Sequence, residues 1–579
     1  MEASPRPSDS SATMTGPDVE AQHHDNKIPY FRYLIDQAGV TPAVLHHEYE
    51  GRGTPESPYV VDFLPNDPYN PMEIARWRKW FITLVQAFAT LSVSFSSSAY
   101  TGGVGSMRAE MGISNEVAIL GVSLYVLGFA IGPLIWAPLS EIYGRQKLFF
   151  GSYLALTAFL GGAAGAPNIT ALLVLRFFAG AFGSSPLTNA GGVIADMFSA
   201  EERGSATGIF AMAPFLGPAV GPIAGGFLGQ AAGWRWVEGM MCIFAGVLWI
   251  ISSLTYPETY APVLLGQRAR KLAEQTGKSY ISRIDAGRPV TSANQKLKVA
   301  MLRPWVLLFR EPIVFITSVY MAIIYGTMYL CFAAFPIVFQ LGRGWSPGIG
   351  GLPFVGMAVG ITFATVGTIL DNKRYARISA ATGGNAPPEA RLPPAILGSV
   401  LIPAGMFWFA WTNGPEIHWI VPIMGGAVFG AGIVLVFLSI MSYLVDAYII
   451  YAASALAANS VLRSLFGAAF PLFTSYMYES LGNHWASSVP AFLALACAPF
   501  PFLFWKYGAA IRMKCRYASE AALVLQKMRG KHETAEQAEE EVLQEERDAA
   551  AAVAASGGVP AAVAAGVTVN EKDVRETSS

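Results

Sequence analysis

The sequence predicts an all-α membrane protein of twelve transmembrane helices in two pseudo-symmetric bundles of six. Twelve apolar runs of about 20 residues lie between Trp80 and Trp505, and a basic segment of more than fifty residues divides them six and six. The chain is 53% hydrophobic and only 14% charged, with a mean hydropathy of +0.40. A hydrocarbon core of roughly 30 Å takes about 20 helical residues to cross, and irregular backbone cannot face lipid, so these runs must be spanning helices.

In order, the spans fall near 80–100, 117–138, 148–166, 170–195, 207–229, 237–256, 313–340, 349–370, 393–412, 419–441, 452–476 and 487–506. Residues 1–78 are polar and rich in Pro, Ser and Asp, which reads as a disordered tail. The first bundle then covers 79–256, a central loop 257–312, the second bundle 313–508 and a C-terminal tail 509–579, charged and helical to Asp548 and alanine-rich beyond. An even number of crossings puts both termini on one side. The loops of that side hold Arg145, Lys147, Arg268, Lys271, Arg303, Lys373, Arg374 and Arg391, against Arg108, Arg235 and Arg343 opposite, so by the positive-inside rule the tails are cytoplasmic.

The halves echo each other. Glu141 ends span 2 where Asp371 ends span 8, and Asp196 after span 4 corresponds to Asp446 after span 10. In transporters built from such repeats the substrate site lies near mid-membrane between the halves.

Between spans 2 and 3, GPLIWAPLSEIYGRQK offers Gly144 for a tight bend, Glu141 as an acid and Arg145 and Lys147 as bases. Ion pairs there, together with Asp196, Asp371 and Asp446, can form a cytoplasmic gate. Arg176 stands inside the apolar run of span 4, and an intramembrane arginine is functional by default, although snorkelling to the near surface is the other reading. In span 5, Gly217, Gly221 and Gly225 recur every fourth residue, with Pro218, Pro222 and Gly226 among them; such spacing makes a flat face for close helix contact. Gln86 and Ser97 of span 1, Asn189, Asn459, and Tyr320, Tyr325, Tyr329 and Phe332 of span 7 could line a cavity for amphipathic molecules. Lipid-facing aromatics are an equally ordinary reading of the same residues.

These motifs resemble the major facilitator superfamily, and within it the fungal drug:proton antiporter family with twelve spans. The carrying residues are the GRQK loop, Arg176 with Gly180, the string Gly217 to Gly226, DPYNP before span 1, PETYAPVLL from Pro257, PEARLP from Pro388 and NSVLRSLFGAAFPLF in span 11. Glu141 stands where aspartate is common, Pro138 where glycine is common and Gln146 where a base is common. The resemblance implies a monomeric, multi-pass plasma-membrane exporter of drugs, toxins or secondary metabolites, using protons by antiport and no cofactor; a facilitator or importer of the same fold is the alternative. No carboxylate falls in the middle of a span, so the proton carrier is not named by the residues; Arg176, coupled to Asp196 or Glu141, is the candidate for proton linkage.

Other classes find little support. The seven histidines lie in tails or short loops, with neither His-Glu-x-x-His nor Gly-x-Ser-x-Gly present, which speaks against an enzyme or a metal site. A Gly-x-x-x-x-Gly-Lys-Ser/Thr loop for ATP is also missing, and no basic stripe suits nucleic acid. Asn168-Ile169-Thr170 has the form of a glycosylation acceptor but lies in a loop too short to present it.

Overall fold

The computed structural model describes residues 29–287, 293–383 and 386–523. The expected charged stretch and alanine-rich tail fall outside these from residue 524 onward, as do the first 28 residues.

Among the described residues, ten continuous helical segments are long and apolar enough to cross a membrane. Nine are single crossings and the last, Ile420–Lys514, holds three. The twelve helices are α1 (Arg76–Ala99), α2 (Asn115–Tyr143), α3 (Arg145–Ala164), α4 (Ile169–Met197), α5 (Ala200–Ala232), α6 (Trp234–Thr255), α7 (Pro312–Phe335), α8 (Phe354–Ala381), α9 (Pro393–Thr412) and α10 (Ile420–Tyr448). Two more, α11 and α12, come from Ala452–Cys497, which breaks at Gly482, and from its continuation Pro499–Lys514.

Local chemistry sets the boundaries. Ser114 accepts a hydrogen bond from the Val117 amide and Asn168 one from the Ala171 amide, so each caps the helix that follows. Asn168 of the glycosylation-like triplet is thus an N-cap. Gly144 (φ 95°), Gly233 (φ 82°) and Gly482 (φ 72°) take left-handed backbone where α2, α5 and α11 turn into their successors, a conformation glycine alone adopts without strain. Several helices run past the apolar runs, α8 farthest, to Ala381 from an expected end at 370, and α5 by seven residues at its start, because helical hydrogen bonding continues into the headgroup region.

The two halves meet along α2 with α11 and α5 with α8. Gly467 of α11 faces Val126 of α2, and Gly208 of α5 faces Ile369 of α8. Ends that carry the chain's terminal segments share one face, here called the tail side.

Residues 29–75, expected to be disordered, are folded. Strand β1 (Tyr59–Val61) pairs in parallel with β2 (Tyr280–Ser282) of the central segment. Val44 and Val61 share a small core with Leu265, Ala269 and Leu272. Asp67 of the DPYNP motif is clasped by Arg268, both almost fully buried, and Arg268 Nε also donates to the Ala38 carbonyl (3.1 Å). The segment has too few apolar residues to fold alone, which its composition reflects; it folds by borrowing a core from the helix Ala261–Thr276. The central segment is likewise no simple loop. Its second helix, Ala293–Arg310, exposes Leu302, Trp305 and Phe309 beside Arg303 and Arg310, the make-up of a helix lying in a membrane interface.

Candidate transport pathway and its gates

The end opposite the tail side, here called the outer end, is sealed by backbone against backbone. A Cβ on Gly217 would lie 2.7 Å from the Leu91 carbonyl oxygen, on Gly221 2.1 Å from Ser98 Oγ, and on Gly225 2.1 Å from the Ala99 carbonyl oxygen, so these glycines bring α5 into direct contact with α1. Ser98 Oγ donates to the Pro218 carbonyl (2.9 Å), using an acceptor that a helix proline elsewhere leaves exposed. The neighbouring face of α5 reaches the other half. Gly226 abuts the Pro347 carbonyl, and Pro222 presents its carbonyl to Gly351, within the short helix Pro347–Gly351 that leads into α8. Gln230 Oε1 accepts from the Gly348 amide at 3.1 Å. The span 5 string thus serves two contacts, one within its half and one between halves.

Just beneath that seal, the Ser97 and Tyr329 hydroxyls share a hydrogen bond of 2.8 Å that joins α1 to α7 across the halves. Tyr325 donates to Tyr329 at 3.4 Å, and Phe332 stands edge-on to Tyr329. Phe437 of α10 packs against Phe215 of α5 with ring centroids 4.6 Å apart. Four of the cavity residues named from sequence therefore come together: Ser97, Tyr325, Tyr329 and Phe332. The others do not. Tyr320 lies on the opposite face of α7, near Cys497 of α12, and Asn459 bonds Ser318 and Met321 inside the second half. Gln86 and Asn189 are buried in the first half; Asn189 Nδ2 donates to Ser185 of its own helix, while Gln86 Nε2 and Asn189 Oδ1 have no partner among the described residues.

Arg176 does not snorkel. It is completely buried at the outer end of the first half, between the rings of Tyr100 and Tyr125 (4.5 Å each), donating to the Ser96 and Gly121 carbonyls, with Glu238 of α6 at 3.6 Å. This corrects the expected coupling: Asp196 stands twenty residues along the same helix, about 30 Å away, and Glu141 is at that far end too. Glu238 follows Trp234, Arg235 and Trp236 at the very start of α6, a position that in sequence looks like a span end. One turn of helix is enough to bury it, and among the described residues it is the one carboxylate buried within a spanning helix.

On the tail side each half carries an arginine–aspartate clasp that joins the loop between two helices to the end of a third. Arg145 Nε donates to Asp196 Oδ2 at 3.4 Å, with the guanidinium over the Tyr260 ring; in the second half Arg391 Nε donates to Asp446 Oδ2 at 2.9 Å, with its guanidinium over Tyr375. The correspondence of Asp196 with Asp446 is therefore physical. Asp371 is engaged locally, by Arg374 one turn on (2.6 Å). Glu141 and Lys147, expected in the gate, are exposed and form no ion pair among the described residues. Their side chains leave the helix on the solvent face, which the spacing does not reveal.

The acid that organises this loop is Glu258, of the PETYAP motif. Its carboxylate accepts from the amides of Arg145 (2.9 Å), Gln146 (3.2 Å), Thr259 and Tyr260 (3.0 Å each). Burial raises its pKa from the ordinary carboxylate range, while those four donors pull the other way. Gly144 has to be glycine here, since a Cβ would sit 2.1 Å from Glu258 Oε2. Glu258→Ala would leave several buried amides unpaired; it is expected to lower stability by about 2–3 kcal/mol, read as a reduced unfolding temperature of the purified protein, and to free the α2–α3 turn for proteolysis. An unchanged unfolding temperature would show that solvent replaces the carboxylate at no cost.

All four cysteines are free. Among the described residues no group of His, Cys, Asp and Glu could hold a metal ion.

Comparison with known proteins places this architecture. Residues 86–471 match the family model described as Major Facilitator Superfamily. The chain is 62% identical to an MFS-type efflux pump, MFS2, of Trichophyton rubrum over 87% of this chain and 84% of that protein. It is 58% identical to efflux pump FUBT of Fusarium oxysporum (90% and 88% covered) and 59% identical to the major facilitator superfamily multidrug transporter mdrA of Aspergillus fumigatus (89% and 85%). The proton:xylose symporter XylE, bound to 6-bromo-6-deoxy-D-glucose, shares the fold at a TM-score of 0.54 and 17% identity, over 74% of this chain and 96% of that one. A sealed outer face, an aromatic centre between halves and a repeated tail-side clasp thus sit on a scaffold whose kinship the family match settles: the chain belongs to the major facilitator superfamily.

Proposed function

We propose that the protein is a secondary active exporter of small amphipathic molecules, driven by proton antiport through alternating access, with its tail side in the cytoplasm of a fungal cell and the bundle in the plasma membrane as a monomer. The observation that carries the reading is the junction of α5 with Pro347–Gly351. Two helix surfaces of glycine and proline meet there largely through main chain, with only the Phe227 ring against Gly348 and the Gln230 amide on the Gly348 N–H added by side chains, so the halves can part and re-form the contact as rigid bodies. The efflux pumps and multidrug transporter to which the chain is 58–62% identical support the direction of transport.

The proton's place in this scheme is Glu238 with Arg176. The pair lies one turn from the outer end of α6, where an entering proton arrives first, and both carboxylate oxygens lack hydrogen-bond donors. Protonation would leave Arg176 without a counter-charge, held by two carbonyls and two rings, and would favour a rearranged first half. A proton entering down roughly 100 mV and one pH unit releases about 3.7 kcal/mol, enough for a several-hundredfold gradient of a neutral substrate.

The test is purified protein in proteoliposomes oriented tail side out and loaded with acidic buffer. A fluorescent amphipath is expected to accumulate inside several-fold above equilibrium, and a protonophore to collapse the gradient. Equilibration without accumulation would identify a facilitator instead.

A further inference from the structure

A second arginine lies within the membrane, and the mechanism so far does not use it. Arg463 stands eleven residues into α11, about 16 Å from the tail side and so near the midplane. It points away from the lipid-exposed Leu465 and Tyr476, on the same side of α11 as Gly467, which touches the first half at Val126. Its guanidinium lies 4.8 Å from the centre of the Tyr325 ring and 5.0 Å from that of Phe437. Phe437 in turn packs on Phe215 of the first half, and Tyr325 leads through Tyr329 to Ser97. The charge thus sits between the halves, beneath the aromatic roof of the pathway.

Arg176 shows what a fully partnered intramembrane arginine looks like here: two carbonyls, two rings and an acid. Arg463 has two rings and no acid. Its one hydrogen bond goes to Ser460 of its own helix at 3.3 Å, its Nε is buried without a partner, and no carboxylate lies within ion-pair reach among the described residues. A guanidinium in this setting is unfavourable unless an anion joins it, and the planar fork it presents matches a carboxylate.

We propose that Arg463 is the anchor of a substrate site for small, largely apolar monocarboxylates, whose anionic head bonds the guanidinium while the body lies among Tyr325, Tyr329, Phe215 and Phe437. This rests on the exporter reading and narrows it: a cationic cargo would meet an uncompensated like charge at the centre.

The experiment uses the full chain in nanodiscs and proteoliposomes with three probes of nearly one shape, 2-naphthoate, neutral 2-naphthamide and the cation 2-naphthylmethylammonium. Wild-type protein is expected to bind the carboxylate at least tenfold more tightly than the amide, and the cation most weakly. Arg463→Gln is expected to erase the preference for naphthoate over naphthamide, and Arg463→Lys to keep part of it, with unfolding temperatures at or above that of wild type. Equal wild-type affinity for naphthoate and naphthamide, or naphthoate binding unchanged in Arg463→Gln, would overturn the anion site, and the first of these needs no variant to fold. If vesicles move the amide or the cation against a gradient but not naphthoate, the anion site falls and the exporter stands. If naphthoate binds with the expected charge dependence but no probe is moved, the anion site stands and the exporter reading falls.

Discussion

Gly225→Leu is expected to abolish transport and to leave little folded protein, because the new side chain must enter space occupied by main chain. Even a Cβ there would lie 2.1 Å from the Ala99 carbonyl oxygen, and the reciprocal surface of α1 is as close: a Cβ on Gly102 would meet the Gly225 carbonyl carbon at 2.0 Å. A flexible neighbour could swing aside, but two helix backbones can only separate, and that undoes the contacts of Gly217 and Gly221 along the same line. Overpacking in a tight core costs about 1–3 kcal/mol where side chains can shift, so a clash with backbone stands at or above the top of that range. Gly226→Leu makes the informative comparison. It points at Pro347 in the other half, so the first bundle is expected to keep its stability while transport falls to background. Wild-type unfolding temperature and transport in Gly225→Leu would show that the α1–α5 contact is not built as described.

The second large effect concerns the buried pair. Arg176→Ala leaves Glu238 enclosed with neither counter-charge nor hydrogen-bond donor, and removing one partner of such a pair costs about 3–5 kcal/mol. The unfolding temperature of purified Arg176→Ala is expected to drop accordingly. The double substitution Arg176→Met with Glu238→Leu removes both charges and is expected to recover most of that stability, yet to lose proton-driven accumulation and retain at most downhill movement. Should the double variant accumulate substrate with undiminished dependence on the proton gradient, the pair would be a structural element and the proton would have to travel elsewhere.

Much of the architecture could be read from residues because membrane thickness imposes a length on every crossing, and the fourfold glycine spacing of span 5 directly reports a helix-contact face. Partners across helices were less legible. Arg145 and Asp196 stood out as charges at helix ends, but which acid meets which base depends on the direction each side chain leaves its helix, and Glu141 leaves toward solvent while Glu258, more than a hundred residues on, fills the turn. The folded cap on the tail side was hidden for a related reason: its core joins Val44 and Val61 to Leu265 and Leu272, so neither segment carries enough apolar residues by itself. Arg463 did leave a signal, a base amid small and apolar residues like that of Arg176 in span 4, but inside a motif-bearing stretch it passed as part of the pattern.

On the proposed anion site, the buried charge of Arg463 on α11 would also make the carrier sensitive to voltage. Turning outward while empty shifts Arg463 from electrical contact with the negative interior to contact with the outside, an uphill move of up to about 2.3 kcal/mol at 100 mV. With an anion aboard, the turn carries no net charge and is free of this cost. At rest the unloaded carrier is therefore biased inward, by roughly fortyfold at that potential, and the membrane field returns it to the face where cargo is collected.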